Sequence, residues 1–198
     1  MTRFIIFRHG QTDWNLERRV MGKTDIPLNN VGRHQAKKLA FRLQETCIDA
    51  FYSSPLKRAK ETAEIVAASH DVPVMVLPEL IELNLGQFEG KTKTERLELF
   101  PWFDATNDRH RKKLNMDTFD ETVCKVKKIL ETLLHKHAYQ TVALGTHDLK
   151  MRCLLLALGM PESIKGEVMK NSAISIVEKS NDGIKIICHN DNTHLEEI

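Results

Sequence analysis

The sequence predicts an α/β fold: a three-layer α/β/α sandwich on a mostly parallel sheet, with antiparallel strands near the C-terminus. Three observations lead there. Short apolar runs of strand length alternate with stretches of helical period through residue 158. Several of those runs break off into polar residues, as the carboxyl ends of parallel strands do where they line a ligand crevice. Two further apolar runs flank Asn181-Asp182-Gly183, a hairpin signal that makes the last strands antiparallel.

Each element follows in order. Residues 3–7 are apolar and are cut by Arg8-His9-Gly10, which suits a buried first strand ending in a polar loop. Beyond Pro27, Asn29 or Asn30 caps a helix with Ala36, Leu39, Ala40 and Leu43 on one face. Residues 50–53 form a second strand. Ser54-Pro55 sets a capping hydroxyl before a proline and opens a helix over 56–68. Residues 74–77 give a third strand. Thr118-Phe119-Asp120-Glu121 reads as a capping box, and Phe119, Val123, Val126, Leu130 and Leu133 follow at steps of 4, 3, 4 and 3. Residues 141–145 make a fourth strand running into Thr146-His147-Asp148, and an apolar helix over 149–158 stops at Gly159. Residues 173–177 and 184–188 are the hairpin strands.

The 198 residues, 41% apolar and 28% charged, lie in the globular range, so one domain over 1–198 is expected and a disordered or collagen-like chain is excluded. Lys and Arg number 29 against 27 Asp and Glu, a net charge of +2. That leaves no global field for gripping nucleic acid or an anionic membrane, so neither is an expected partner and any basic site is local. The longest apolar stretch, residues 153–158, is far short of the ~18–20 residues that cross a bilayer. The first residues lack a secretory pattern, and Cys47, Cys124, Cys153 and Cys188 are scattered without a Cys-x-x-Cys pair. Free thiols in a reducing cytoplasm are the expectation. Nothing here specifies the oligomeric state, and a homodimer is compatible with the chain.

The crevice rule selects Arg8, His9, Arg58, Glu82 and His147. Singly each has an ordinary reading: a hydrogen-bonded structural histidine, a solvated helix arginine, a surface carboxylate. Their order and context change that. Arg8-His9-Gly10-Gln11-Thr12-x-x-Asn15, Ser53-Ser54-Pro55-Leu56-x-Arg58-Ala59, Glu82-x-x-x-Gly86-x-Phe88-Glu89-Gly90 and then His147 occur in sequence. This pattern resembles the histidine phosphatase superfamily, in the branch of cofactor-dependent phosphoglycerate mutases and small phosphatases. The match runs from about residue 3 to 158, and 190–195 resemble the tail of small phosphatases in that branch.

The resemblance implies a single domain with a lid segment at about 88–117, acting on a small phosphorylated metabolite. It implies that His9 attacks phosphorus to form a phosphohistidine and that Glu82 serves as general acid and base. Neutral imidazole is a good nucleophile, and a carboxyl can donate a proton in one half-reaction and accept one in the next. Arg8 and Arg58 offer planar forks to phosphoryl oxygens, and His147 is by analogy a further donor whose protonated form the phosphate dianion favours. Thr12, Asn15, Gly22 and Asp148 are carried as substrate-contacting residues. For Thr12 the alternative is capping a local turn, and for Asn15 holding the loop. Neither a metal nor a cofactor is expected.

The pattern also departs from the family. Asp148 stands where glycine is common. Its carboxylate either faces and repels phosphate or turns away to cap the helix over 149–158. Phe88 stands in place of tryptophan and Met21 in place of glutamine. Among weaker signals, His135 and His137 diverge on a helix and read as solvated. His189, Asp191 and His194 read as a flexible tail rather than a cation site. The basic run 109–113 is either a solvated face or a receptor for a second anionic group on the substrate. Phe100, Trp102 and Phe103 read as anchors of the lid.

Phosphomonoester hydrolysis is the leading expectation. A phosphoglycerate mutase is the alternative, disfavoured because only 65 positions separate Glu82 from His147, where mutases generally carry more. A noncatalytic phosphate-binding adaptor has no need of Glu82. The alcohol is not specified, so sugar phosphates, phosphoglycerates and nucleoside-like monophosphates all fit.

Overall fold

The computed structural model describes residues 1–180 and 182–196. Among them, six strands form one sheet in the order β3-β2-β4-β1-β5-β6: β1 Thr2–Arg8, β2 Ala50–Ser53, β3 Val74–Val76, β4 Thr141–Thr146, β5 Ile174–Ser180 and β6 Gly183–Asp191. β1 runs parallel to β4, and β2 runs parallel to both β4 and β3. β5 is antiparallel to β1 and β6 to β5, so the mixed sheet is the expected one. Asn181, at the tip of the expected hairpin, lies outside the described residues.

Alternation along β1 separates two cores. Phe4 and Ile6 join Val142 and Leu144 of β4 against α6 (Phe119–Lys136) and α7 (Asp148–Leu158). Ile5 and Phe7 meet Leu39 and Leu43 of α2 (Asn30–Leu43) and Ala63 and Val66 of α3 (Lys57–Ala67) on the other face. All four β1 side chains are fully buried, each contributing about 1.5–3 kcal/mol of apolar transfer. A strand so apolar on both faces needs helices on both, which makes three layers.

Local chemistry sets the helix ends. Asn29 caps α2 by accepting from the Gly32 N–H, and Thr118 caps α6 by accepting from that of Glu121. α3 differs from expectation: its N-cap is Leu56, without a side-chain capping bond, and the Ser54 hydroxyl, two residues earlier, accepts from the Leu56 N–H (3.3 Å) and meets His147 Nε2. Three short helices lie beyond those the sequence predicts: α1 (Asp13–Leu16), α4 (Lys93–Leu99) and α5 (Asp108–Lys113). None of these short helices carries enough apolar period to stand out. α4 and α5 lie in the 88–117 segment, where Phe88, Leu114 and Met116 form a small core with Val20, Phe100 and Phe103. Trp102 stays largely exposed, so the apolar anchoring falls to the two phenylalanines.

Candidate active site

Strand register creates the site. Arg8 at the end of β1 pairs with Thr146 at the end of β4, so the next residues, His9 and His147, emerge side by side. Their ring centroids are 5.3 Å apart. His9 Nδ1 lies 2.6 Å from the Gly10 carbonyl, which can only accept. The proton therefore resides on Nδ1, and Nε2 keeps its lone pair. His147 Nε2 lies 2.7 Å from Ser54 Oγ, while its Nδ1 is buried without a partner. Burial, with Arg58 and Arg8 beside it, pushes His9 well below the usual imidazole range. Burial, then Arg58, His9 and Arg8, do the same to His147.

Two arginines border this pair. Arg8 donates from Nη1 to the Met169 carbonyl, and its buried Nε has no partner. Arg58, in the first turn of α3, donates to the carbonyls of Thr24 (2.7 Å) and Gly22 (2.8 Å), again with Nε buried and unpartnered. Burial lowers Arg58 to about 10. Glu89 shapes the loop that offers those carbonyls. Its carboxylate accepts from the Lys23 N–H (3.0 Å), the Thr24 N–H (3.0 Å) and the Thr24 hydroxyl. Gly22 has a φ of +54°, and a Cβ there would lie 2.1 Å from Glu89 Oε1. Only glycine fits that turn.

Glu82 is buried against the start of α7. Its Oε1 accepts from the N–H groups of Leu83 and Lys150 (both 3.0 Å), and its Oε2 from that of Leu149 (3.1 Å). It caps from outside a helix whose own N-cap, His147, makes no side-chain capping bond to it. Burial, followed by the Asp148 charge, raises its carboxyl above the usual range; the Leu83 and Leu149 N–H groups and Arg58 oppose the rise.

Asp148 is the first residue of α7 and does not cap it, which corrects the capping alternative. Its carboxylate pairs with Arg152 one turn on and accepts from the Met169 N–H at 2.9 Å. The i,i+4 spacing to Arg152 is legible in the sequence and went unread. Thr12 takes its local-turn alternative: fully buried, it caps α1, and its hydroxyl accepts from the Asn15 N–H. Asn15 borders the cleft and turns its Oδ1 to the Thr12 N–H and to Asn171 Nδ2. Asn171 also donates to the carbonyls of His9 (3.2 Å) and Gly10 (3.3 Å), bracing the loop after β1.

Arg8, His9, Asn15, Gly22, Arg58, Glu82 and Asp148 line one cleft of about 390 Å³. The 88–117 segment supplies part of its wall through Phe88, Arg96, Phe103 and Arg111. Of the basic run, Arg111 turns inward and is almost fully buried, while Lys112 pairs with Glu121 outside.

The remaining histidines divide. His135 is exposed as expected, but His137 is buried between Tyr52 Oη (2.9 Å) and Gln140 Oε1 (2.7 Å), a correction to its solvated reading. His189 and Asp191 belong to β6 rather than a loose tail, and His189 pairs with Glu167. Among the described residues no three His, Cys, Asp or Glu side chains gather in a metal-binding group.

Fold and site together define an α/β protein with paired imidazoles and uncompensated guanidiniums at the carboxyl ends of parallel strands. The chain belongs to the histidine phosphatase superfamily (branch 1), whose profile matches residues 4–192. It is 32% identical over 197 residues to the uncharacterized phosphatase PhoE of Bacillus subtilis, covering 98% of this chain and 97% of that one. It is 31% identical to a metal-independent phosphoserine phosphatase of Arabidopsis thaliana, covering 100% and 85% of the two chains. A probable phosphoglycerate mutase GpmB of Escherichia fergusonii is 30% identical, over 90% and 85%. Among solved structures, Bacillus stearothermophilus YhfR superposes with a TM-score of 0.88 at 28% identity, over 99% of this chain and all of that one.

Proposed function

We propose that the protein is a metal-independent phosphomonoester hydrolase that works through a phosphohistidine at His9. The observation that carries this reading is the His9 tautomer: Nδ1 is spent on the Gly10 carbonyl, and Nε2 is left nucleophilic beside buried, unpartnered N–H groups. His9 Nε2 attacks phosphorus, the ester P–O bond breaks, and the Glu82 carboxyl gives its proton to the departing alkoxide. Water then attacks the phosphohistidine, Glu82 takes the water's proton, and the P–N bond breaks to release inorganic phosphate. Arg8 and Arg58 hold the phosphoryl oxygens and stabilise the transition-state charge. His147 donates from Nδ1, and the dianion works against the depression of its pKa. Asn15 and Gly22 border the same cleft and contact the substrate. Thr12 acts through the loop it caps.

The raised Glu82 carboxyl supports a group that carries a proton at the moment of bond breaking. The substrate is a small phosphorylated metabolite, in keeping with the cleft's size and with the names of the relatives. Four unpaired cysteines support residence in a reducing compartment such as the cytoplasm.

The test is a release assay for inorganic phosphate over sugar phosphates, phosphoglycerates and nucleoside monophosphates, with chelator present. It compares the chain with His9→Ala and Glu82→Gln. Loss of release in both variants is expected. Undiminished turnover by His9→Ala overturns the reading, as does loss of activity on chelation. Phosphoryl return to glycerate with little inorganic phosphate selects the mutase reading that the GpmB similarity favours.

A further inference from the structure

Residues 167–170 run between the end of β6 and Arg8 and belong to no helix or strand. Their backbone groups therefore need partners outside any ladder. In an extended stretch the N–H and C=O of one residue point to one edge, and the preceding C=O and following N–H point to the other. Around Met169 the two edges have different partners. Inward, the Met169 N–H donates to Asp148 Oδ1 (2.9 Å) and the Met169 carbonyl accepts from Arg8 Nη1. Outward, the Val168 carbonyl accepts from Asn190 Nδ2 (3.0 Å) and the Lys170 N–H donates to Asn190 Oδ1 (2.9 Å). A carboxamide carries a donor and an acceptor as a peptide group does, so one asparagine serves the outer edge as a neighbouring strand would. Packing holds the middle of the segment, where Met169 is fully buried, while Val168 and Lys170 on either side are exposed.

An irregularity in the last strand aims this clasp. Ile174 pairs with Asp191 and Ile176 with Cys188, so His189 and Asn190 together oppose Ser175, a β-bulge. Asn190 is the left-handed residue of the bulge, with a φ of +49°, a conformation that asparagine adopts more readily than most side chains. Ser175 Oγ accepts from the Asn190 N–H (3.0 Å) and lies 3.2 Å from His189 Nδ1. Regular alternation would send residues 189 and 190 to opposite faces of the sheet. With the bulge both reach the same segment: His189 Nε2 meets Glu167 at 2.7 Å, and Asn190 takes the backbone on either side of Met169. Lys170 Nζ adds a bond to Asn192 (3.0 Å). The 190–195 motif stands outside the cleft lining, yet its first residue grips the backbone that holds Arg8.

We propose that Asn190 is a positioning residue for phosphoryl binding: by clasping the Val168 carbonyl and the Lys170 N–H it fixes the Met169 carbonyl, and through it the direction of the Arg8 guanidinium. This rests on the reading that Arg8 holds a phosphoryl oxygen. The guanidinium is a rigid fork, so the place of the one carbonyl that Nη1 meets sets where its other N–H groups point. A phosphoryl group in transfer is sensitive to that direction.

Orthovanadate, which takes the five-coordinate geometry of a phosphoryl group in transfer, is the probe, titrated by calorimetry beside phosphate release from p-nitrophenyl phosphate. Asn190→Gly keeps the left-handed turn and removes both clasp bonds; Asn190→Asp keeps one and sets an oxygen against the Val168 carbonyl. Each is expected to weaken vanadate binding about tenfold. In an Arg8→Gln background, Asn190→Gly is expected to add less than about twofold. In an Arg58→Gln background it keeps its full effect, because Arg58 is held by the separate carbonyls of Gly22 and Thr24. A general loosening of the fold weakens both backgrounds alike. Asn190→Asp carries the same comparison if Asn190→Gly loses its cooperative thermal transition. Unchanged vanadate affinity in a folded Asn190 variant overturns the proposal, as does an effect that persists in Arg8→Gln. An Arg8→Gln chain that binds vanadate as well as the unaltered one removes Arg8 from the phosphoryl site and the proposal with it. Coupling to Arg8 without phosphate release by the unaltered chain overturns the hydrolase reading while the clasp stands. Release without coupling does the reverse.

Discussion

His9 and His147 face each other with ring centroids 5.3 Å apart and planes inclined by 59°, although 138 positions separate them in the chain. The cause is the pairing of Arg8 with Thr146 across two parallel strands, which delivers both imidazoles to the same edge of the sheet. Each then uses one nitrogen for positioning: His9 on the Gly10 carbonyl, His147 on the Ser54 hydroxyl. The other nitrogen of each ring makes no hydrogen bond among the described residues, as the proposed phosphoryl chemistry requires. Their depressed pKa values keep the pair neutral together, where two imidazolium ions would repel.

Glu82→Gln separates acid catalysis from binding. On the proposed mechanism the carboxyl supplies the proton of the leaving alkoxide, so the variant is expected to lose about 10²–10⁴-fold in kcat on an alkyl phosphate. The loss is much smaller on p-nitrophenyl phosphate, whose phenolate leaves without a proton. Equal losses on the two substrates contradict the assignment.

Asp148 raises the Glu82 carboxyl through its charge, so removing that charge lowers it. The protonated acid then persists over a narrower range. In Asp148→Asn, the basic limb of kcat/KM is expected to move to lower pH relative to the unaltered chain. A limb that stays in place, or moves up, shows that Glu82 does not set it.

The turn at Gly22 carries a prediction about phosphate affinity. A methyl group there meets Glu89 and disturbs the carbonyl that holds Arg58. Gly22→Ala is expected to raise KM about tenfold, equivalent to about 1.4 kcal/mol of binding. Glu89→Ala should raise it as well, by releasing the Lys23 and Thr24 N–H groups. An unchanged KM in both variants removes the loop from the site's support.

Stability should depend on pH through the buried imidazoles. Their folded pKa values lie well below the ordinary 6.5, so below that pH the unfolded chain binds protons that the folded one does not. Stability therefore falls as pH drops through 6.5, by up to about 1.4 kcal/mol per pH unit for each histidine. Glu82, raised instead, acts with the opposite sign between its ordinary value of 4.5 and its folded one. Denaturant titrations at pH 6.5 and 5.5 should show a smaller loss in His9→Asn by about 1 kcal/mol. An identical loss in the variant contradicts a neutral, buried His9.

Much of this was legible in the chain because two signals are local. The apolar run of β1 and the period of α6 announce buried elements directly. The motif residues fall at strand ends, where the parallel-sheet rule collects them into one crevice. The rest depends on tertiary partners. Thr12 and Asn15 look alike as polar loop residues, and only the fold turns one into a buried cap and sets the other at the cleft. Ser54 reads only as a helix cap, and nothing local shows that its hydroxyl also meets His147, 93 positions away. Arg111 is one of four cations in a row of five residues, and sequence alone does not say which turns inward. Glu89 acts through backbone N–H groups, which carry no residue signature.

The most direct test of the central claim is to look for the phosphoenzyme. A single turnover with excess protein over a hydrolysed phosphomonoester is quenched in alkali, where phosphohistidine survives, and the protein is analysed by intact and peptide mass. One added phosphoryl group at His9, absent from His147 and from the His9→Ala variant, is the predicted result. Release of phosphate at full rate with no label on His9 would contradict the account.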